Sequence, residues 1–233
     1  MQNTFTSARA RGALAFREHL PVGSAAPDCV LYTVQGVKAR LSDYFGKAHV
    51  VLQFGSITTP GSIEQLQAME QARRTDGAGA QFLFIYVREP HPGSSYPQPT
   101  TLAERLSHAR ALQRAEAIAW PVLVDDVGNE CYSAYGSQPA MAYVVNRDGI
   151  VFYKTNWINA AEIGEALRDL HYADNAAGND QNEVLPRFSE KLCTFTVPVG
   201  TCARVLRRAG QDSIDDLQRA FNNKAWTLRV SGE

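Results

Sequence analysis

Two almost continuous apolar runs, with a helical pattern between them, constrain this chain most. Val50-Val51-Leu52-Gln53-Phe54 and Phe82-Leu83-Phe84-Ile85-Tyr86-Val87 have the composition of strands buried on both faces. Between them Ile63, Leu66 and Met69 recur every three residues, and Asp76-Gly77-Ala78-Gly79 stops the pattern, as an amphipathic helix and its C-terminal glycine would. Val30–Thr33 and Val37–Leu41 read as short strands joined around Gly36, followed by a helix-like stretch over Leu41–Phe45. Thr101 fits a helix N-cap, with Glu104 completing a capping box and Leu102, Leu106, Ala109 and Leu112 as the apolar stripe. Pro121–Val124, Met141–Val145 and Ile150–Lys154 read as strands, the last two joined by the turn Asn146-Arg147-Asp148-Gly149, and Ala161–Leu170 reads as a closing helix. Buried strands alternating with amphipathic helices predict an α/β fold, a central mixed sheet with helices on both faces.

The predicted organisation is an N-terminal arm over residues 1–21, the α/β domain over 22–172, a polar linker over 173–187 and a C-terminal extension over 188–233. In the extension, Cys193–Val199 alternates as a strand does, while Thr201–Ala209 and Ser213–Phe221 have helical patterns. A piece of about 45 residues is too short to fold alone, so it is expected to pack on the main domain or on a partner chain, which would give a homodimer.

The formal charge of −1, from 23 Lys+Arg and 24 Asp+Glu, supplies no basic field for nucleic acid or an anionic membrane. No run approaches the ~20 apolar residues of a membrane span. The first twenty residues carry Arg9, Arg11 and Arg17 without the continuous apolar core of a signal peptide. Cys29, Cys131, Cys193 and Cys202 are too scattered for a disulfide scaffold, and a reducing cytoplasm is the expected compartment. His19, His49, His108 and His171 have no metal-ligand spacing and read as isolated polar residues. No metal and no cofactor is expected; the expected partner is a small-molecule substrate.

The candidate site is the junction Gly55-Ser56-Ile57-Thr58-Thr59-Pro60, leaving a buried strand and opening a helix. Unpaired N–H groups and the helix dipole favour negative charge there and depress the pKa of a thiol. Gln53-Phe54-Gly55-Ser56-Ile57-Thr58-Thr59-Pro60 resembles the selenocysteine motif of the iodothyronine deiodinases and their bacterial relatives, in which Gly-Ser-Cys-Thr-selenocysteine-Pro follows a buried strand. Phe84-Ile85-Tyr86-Val87-Arg88-Glu89-Pro90-His91-Pro92 is similar to that family's Tyr-Ile-Glu-Glu-Ala-His-Pro run, and Thr101–Leu106 to its helix. The resemblance covers roughly residues 22–172 and implies a thioredoxin-like fold of the redoxin superfamily. It implies that Ser56 and Thr58 form a hydrogen-bonded rim, that Glu89 and His91 are an acid/base and proton-relay pair, and that Thr59 holds the nucleophile's position. Ile57 then stands where the accessory cysteine would be. A threonine hydroxyl has no redox cycle and does not ionise near neutral pH at a helix N-terminus. The resemblance also suggests a cis-proline at Pro139, which otherwise reads as an ordinary strand-entry proline.

These residues favour a non-redox acid/base step on a small organic substrate, such as a proton transfer, cyclisation or dehydration in secondary metabolism. Glu89 and His91 would supply protons, Ser56, Thr58 and Thr59 hydrogen bonds, and Ile57, Tyr96 and Pro139 substrate contacts. The polar, proline-rich loop from His91 to Pro99 would act as a wall or lid, or simply as a surface connection. Two alternatives remain open. One is thiol oxidoreduction through Cys131, otherwise a packing residue, or through a Cys193/Cys202 pair; the other is a non-catalytic binding module. Arg204, Arg207 and Arg208 read as a solvated helix face or as a carboxylate contact.

Overall fold

Eight strands, β1 (Val30–Thr33), β2 (Lys38–Arg40), β3 (Val50–Gly55), β4 (Gln81–Tyr86), β5 (Val122–Val124), β6 (Ala142–Val145), β7 (Val151–Thr155) and β8 (Arg187–Ser189), form one sheet. The computed structural model describes residues 15–176, 187–189 and 199–215. The strand order is β2-β1-β5-β4-β3-β6-β7-β8. The centre is parallel, β5 on β4 on β3, and β6 returns antiparallel on the other side of β3. This is the expected mixed sheet, and its most apolar strands are its middle ones, where both faces are covered.

Alternation along the strands divides the core in two. Val51, Phe82, Phe84, Tyr86, Val122, Val124, Ala142 and Val144 face one cluster. There they meet α2 (Leu66–Thr75), α3 (Leu102–Ala115) and α5 (Ala160–Ala176) through Leu66, Met69, Leu106, Ala109, Leu112, Ile163 and Leu167. Val50, Leu52, Phe54, Leu83, Ile85, Leu123, Tyr143 and Val145 face the second cluster, closed by Phe16, Leu41 and the short α4 (Glu130–Ala134). A one-residue slip of any central strand would exchange these faces, so the two clusters fix the register. Each fully buried aliphatic or aromatic side chain contributes about 1.5–3 kcal/mol. The ammonium of Lys154 in β7 donates to the carbonyls of Phe16, Arg17 and His19 at 2.8, 3.0 and 2.6 Å, which ties the end of the predicted N-terminal arm to the sheet.

Local signals account for most element ends. Thr101 Oγ1 accepts from the Glu104 N–H and the Glu104 carboxylate accepts from the Thr101 N–H, the reciprocal box read from the sequence. The helical pattern after Pro60 is split, however: α1 (Pro60–Glu64) stops at Gln65, and α2 begins at Leu66. α5 runs past the expected boundary at 172, to Ala176, and β8 adds an edge strand parallel to β7. The predicted strand over Cys193–Val199, except Val199 itself, which is helical, and most of the helix over Ser213–Phe221 lie outside the described residues, as do most of the linker and Cys193. A sixth helix, α6 (Val199–Ala209), covers the expected Thr201–Ala209.

The cis-proline expectation is overturned. No cis peptide occurs among the described residues, so Gln138–Pro139 is trans. The chain reverses just upstream instead, through the consecutive left-handed residues Gly136 (φ 100°) and Ser137 (φ 56°). Pro139 then lies in a turn ahead of β6, next to the bridge between Ala140 and Trp157.

Candidate functional site

The site lies at the carboxyl ends of the parallel strands β3 and β4, where helices begin and polar side chains converge. Gly55 closes β3 because there is no room for a side chain: a Cβ there would overlap Ser62 and stand 2.9 Å from the Phe84 ring. The next residues turn directly into α1, with Thr59 as N-cap and Pro60 at the first helical position, where its missing N–H is harmless. Ser56, Ile57 and Thr58 are fully buried and Thr59 is 3% exposed.

Burial at this density requires that every hydroxyl be satisfied, and the hydroxyls satisfy each other. Ser56 Oγ lies 2.8 Å from Thr59 Oγ1 and 3.4 Å from Thr58 Oγ1. Thr58 Oγ1 donates to Glu89 Oε2 at 2.6 Å, and the Thr58 N–H donates to the same oxygen at 3.2 Å. The Ser56 N–H donates to Thr59 Oγ1 at 3.1 Å. A carboxylate only accepts, so Thr58 donates to Glu89, and the hydroxyls of Ser56 and Thr59, each able to donate or accept, continue the chain.

Glu89 is 1% exposed. Its second oxygen accepts a short hydrogen bond from the Tyr86 hydroxyl, which itself accepts from the Ile57 N–H at 3.2 Å. Burial, with the charge and hydrogen bond of Glu89 behind it, pushes the Tyr86 phenol well above its ordinary value, so it stays a proton donor. His108 Nδ1 stands 3.4 Å from Glu89 Oε1. At that distance the two are neighbours without a hydrogen bond between them. Tyr96 holds the His108 ring edge-on, centroids 5.0 Å apart. One turn earlier on α3, the fully buried Arg105 donates to the carbonyls of Asp125 and Asp126 and to Asn129 Oδ1 at 3.3, 2.6 and 3.0 Å. Desolvation lowers its pKa, and the charges of Asp125 and Glu89 resist that.

The predicted residues are therefore only partly brought together. Ser56, Thr58, Thr59 and Glu89 form one network. His91 is half-buried and held by its main chain, its N–H donating to Thr58 Oγ1 at 3.4 Å and its carbonyl accepting from Ser213 Oγ at 2.8 Å. Ile57 belongs to the hydrophobic core, its side chain fully buried there. Tyr96 packs on the same core and positions His108. Pro139 is related to α1 through Trp157, whose ring lies against Gly61. Sequence reasoning missed Tyr86, Arg105 and His108. The last two fall on the line 105, 108, 109 and 112 of α3, and a basic residue on a buried helical stripe is the signal that was available.

Cys131 and Cys202 are chemically quiet. Cys131 is fully buried, and its thiol is pushed well up by a hydrogen bond with Cys29 and by burial. Burial also raises Cys202 to about 11. Neither is a ready thiolate near neutral pH. Among the described residues no group of three or more His, Cys, Asp or Glu side chains is placed to hold a metal ion. No helix there is long and apolar enough to cross a membrane. Two surface clefts, of about 400 and 300 Å³, lie at Leu66–Trp120 and at His49–Asp174, and neither is lined by Thr59 or Glu89.

Comparison with known proteins agrees with the fold and with the two motifs. The model of the iodothyronine deiodinase family matches residues 5–162. A thyroxine 5-deiodinase of Aquarana catesbeiana is 32% identical over 181 residues, covering 71% of this chain and 66% of the relative. The Sparus aurata enzyme is 28% identical over 183 residues, covering 74% and 68%. The human one is 29% identical over 152 residues, and there the chain spans about half of the relative's length (49%) and 60% of its own. Among solved structures, a yeast mitochondrial 1-Cys peroxiredoxin superposes with a TM-score of 0.52 at 14% identity, over 68% of this chain and 79% of the other. An uncharacterized conserved protein from Geobacillus kaustophilus gives a TM-score of 0.53 at 19% identity, over 73% and 90%. Sequence motifs, strand order and these matches agree: the chain belongs to the iodothyronine deiodinase family and carries that family's thioredoxin-like fold.

Proposed function

We propose that this family member performs an acid/base step on a small organic substrate, using Glu89 as the proton acceptor and without a redox nucleophile. The observation that carries this reading is the buried hydroxyl chain that links Thr59 through Ser56 and Thr58 to Glu89. Thr59 takes the position at the mouth of α1 that selenocysteine or cysteine holds in relatives, and its alcohol moves protons but not electrons. Tyr86 and His108, on the other carboxylate oxygen, supply a second donor and an exit for the proton. A proton transfer, cyclisation or dehydration uses these parts alone, and a cytoplasmic small-molecule pathway is the setting that suits it.

The test is solvent-deuterium incorporation, followed by NMR, into a panel of small carbonyl compounds with acidic α-hydrogens. Protein-dependent exchange is expected, falling at least about 100-fold in Glu89→Gln and unchanged in Cys131→Ser. Exchange that survives Glu89→Gln sinks the assignment. Thyroxine with dithiothreitol gives the complementary arm: no iodide release is expected, and release that depends on a cysteine would establish thiol chemistry instead.

A further inference from the structure

The proposed chemistry meets an obstacle in the fold itself: Thr59 and Glu89 are 3% and 1% exposed, so a substrate has no path to them in this conformation. Part of what closes the site lies outside the family match, which ends at residue 162. α6 packs on α1, presenting Cys202, Val205, Leu206 and Ala209, all buried, on one helical stripe.

The docking is specific at both ends. Arg204 and Arg208 reach Glu116, just past α3, at 2.6 and 2.5 Å. Although desolvation alone would raise it, these two arginines hold the Glu116 carboxyl below its usual range. At the other end the Ala209 carbonyl accepts from the Ser95 N–H at 2.9 Å. Asp212 accepts from the Ser94 N–H and hydroxyl at 3.0 and 3.1 Å, and Ser213 donates to the His91 carbonyl. The loop that runs between β4 and α3, with Glu89 and His91 at its start, is thus fastened to the C-terminal segment. Gly93 lies where the two segments approach closely: a side chain there would collide with the Ala209 carbonyl and stand 2.5 Å from Ser213 Oγ.

We propose that α6 and the turn after it, residues 199–213, form a cap added to the family fold, which closes the Thr59–Glu89 site and moves away as a unit to admit a small molecule. Its described attachments include two ion pairs on one carboxylate, four hydrogen bonds to one loop and an apolar stripe, contacts of a kind that can open locally. The strands beneath it are fixed by two complete core clusters. The cap rests on the acid/base reading only for what it admits, not for whether it opens.

Accessibility tests it without any need for turnover. Thr59→Cys in the full chain places a thiol at the mouth of α1, and its labelling by N-ethylmaleimide is followed by peptide mass spectrometry, with Cys131 as the internal control. The introduced thiol is expected to label slowly. Adding Glu116→Gln, which removes both ion pairs, or Gly93→Ala, which wedges the loop from α6, is expected to raise that rate about tenfold or more while Cys131 stays protected. Amide hydrogen exchange with Thr59 intact gives an independent reading: Gly93→Ala and Glu116→Gln should speed exchange in residues 59–64 but not in β3. If neither variant changes labelling or exchange, or if position 59 becomes accessible only in step with Cys131, there is no separately opening cap.

Discussion

Two buried carboxylates stand at the ends of adjacent parallel strands, and they are used differently. Asp125 follows β5 and Glu89 follows β4; they are 0% and 1% exposed. Asp125 accepts from the backbone N–H groups of Cys131 and Tyr132 at 3.3 and 2.9 Å, the unpaired donors at the start of α4. Glu89 accepts mainly from side-chain hydroxyls, Thr58 and Tyr86, with an imidazole alongside. A backbone amide holds its proton, so Asp125 can only clamp a helix. Hydroxyls and imidazoles exchange protons, so donors of the kind that surround Glu89 suit the relay proposed for it. The difference teaches that two equally buried carboxylates are told apart by the chemistry of their donors. Arg105, buried between the two, bonds to the Asp125–Asn129 loop and places its charge near Glu89.

This contrast can be broken by substitution. The largest effect is expected from Glu89→Gln, which keeps the shape but ends the relay: deuterium exchange into a substrate should fall about 100- to 10,000-fold while thermal stability falls by about 1 kcal/mol. Asp125→Ala should do the reverse, leaving two buried N–H groups unpaired at a cost of about 3 kcal/mol. That is a melting shift of roughly 6–12 °C for a chain of this size, read by calorimetry, and Asp125→Asn should lose less. If Asp125→Asn abolishes exchange as completely as Glu89→Gln, the two carboxylates are not distinct. Smaller again is Thr58→Val, which removes one donor and breaks the hydroxyl chain. A loss of about 1 kcal/mol and about tenfold in exchange rate is expected, with both largely restored in Thr58→Ser.

The smallest effect is in the pH dependence of stability. Burial raises the Asp125 carboxyl above 3.8 against the pull of its backbone donors. Between 3.8 and that raised value the folded state therefore holds more protons, and Asp125 makes stability decline as pH rises through the window. Glu116 has the opposite sign: its lowered value gives stability that is present above 4.5 and lost as pH falls through the depressed folded value. Urea titrations between pH 3 and 6 should show the first slope vanish in Asp125→Asn and the second in Glu116→Gln. Unchanged slopes would mean that neither group titrates differently on folding.

Part of the site was legible because its residues are close in sequence. The turn from β3 into α1 and the stretch from Phe84 to His91 each carry a local pattern, and they contain Ser56, Thr58, Thr59 and Glu89. The Thr101–Glu104 capping box was readable for the same reason, since both of its bonds close within one turn. His108 read as an isolated polar residue because its meaning depends on which face of α3 meets the sheet. Cys29 and Cys131 read as scattered thiols, yet the fold brings them into one core cluster, where they interact. The arginines of α6 left two readings open, and Arg204 and Arg208 take a carboxylate, Glu116.

The sequence by itself determined the alternation of strands and helices, the α/β class, the family motifs and the absence of a thiol at Thr59, because each is written in residue identity or short-range periodicity. Only the tertiary structure decided that Tyr86 bonds to Glu89 with His108 alongside, that Pro139 is trans, and that α6 of the C-terminal extension packs on α1. Those outcomes depend on contacts between residues far apart in the chain, whose geometry is set by how strand register and helix faces pack together.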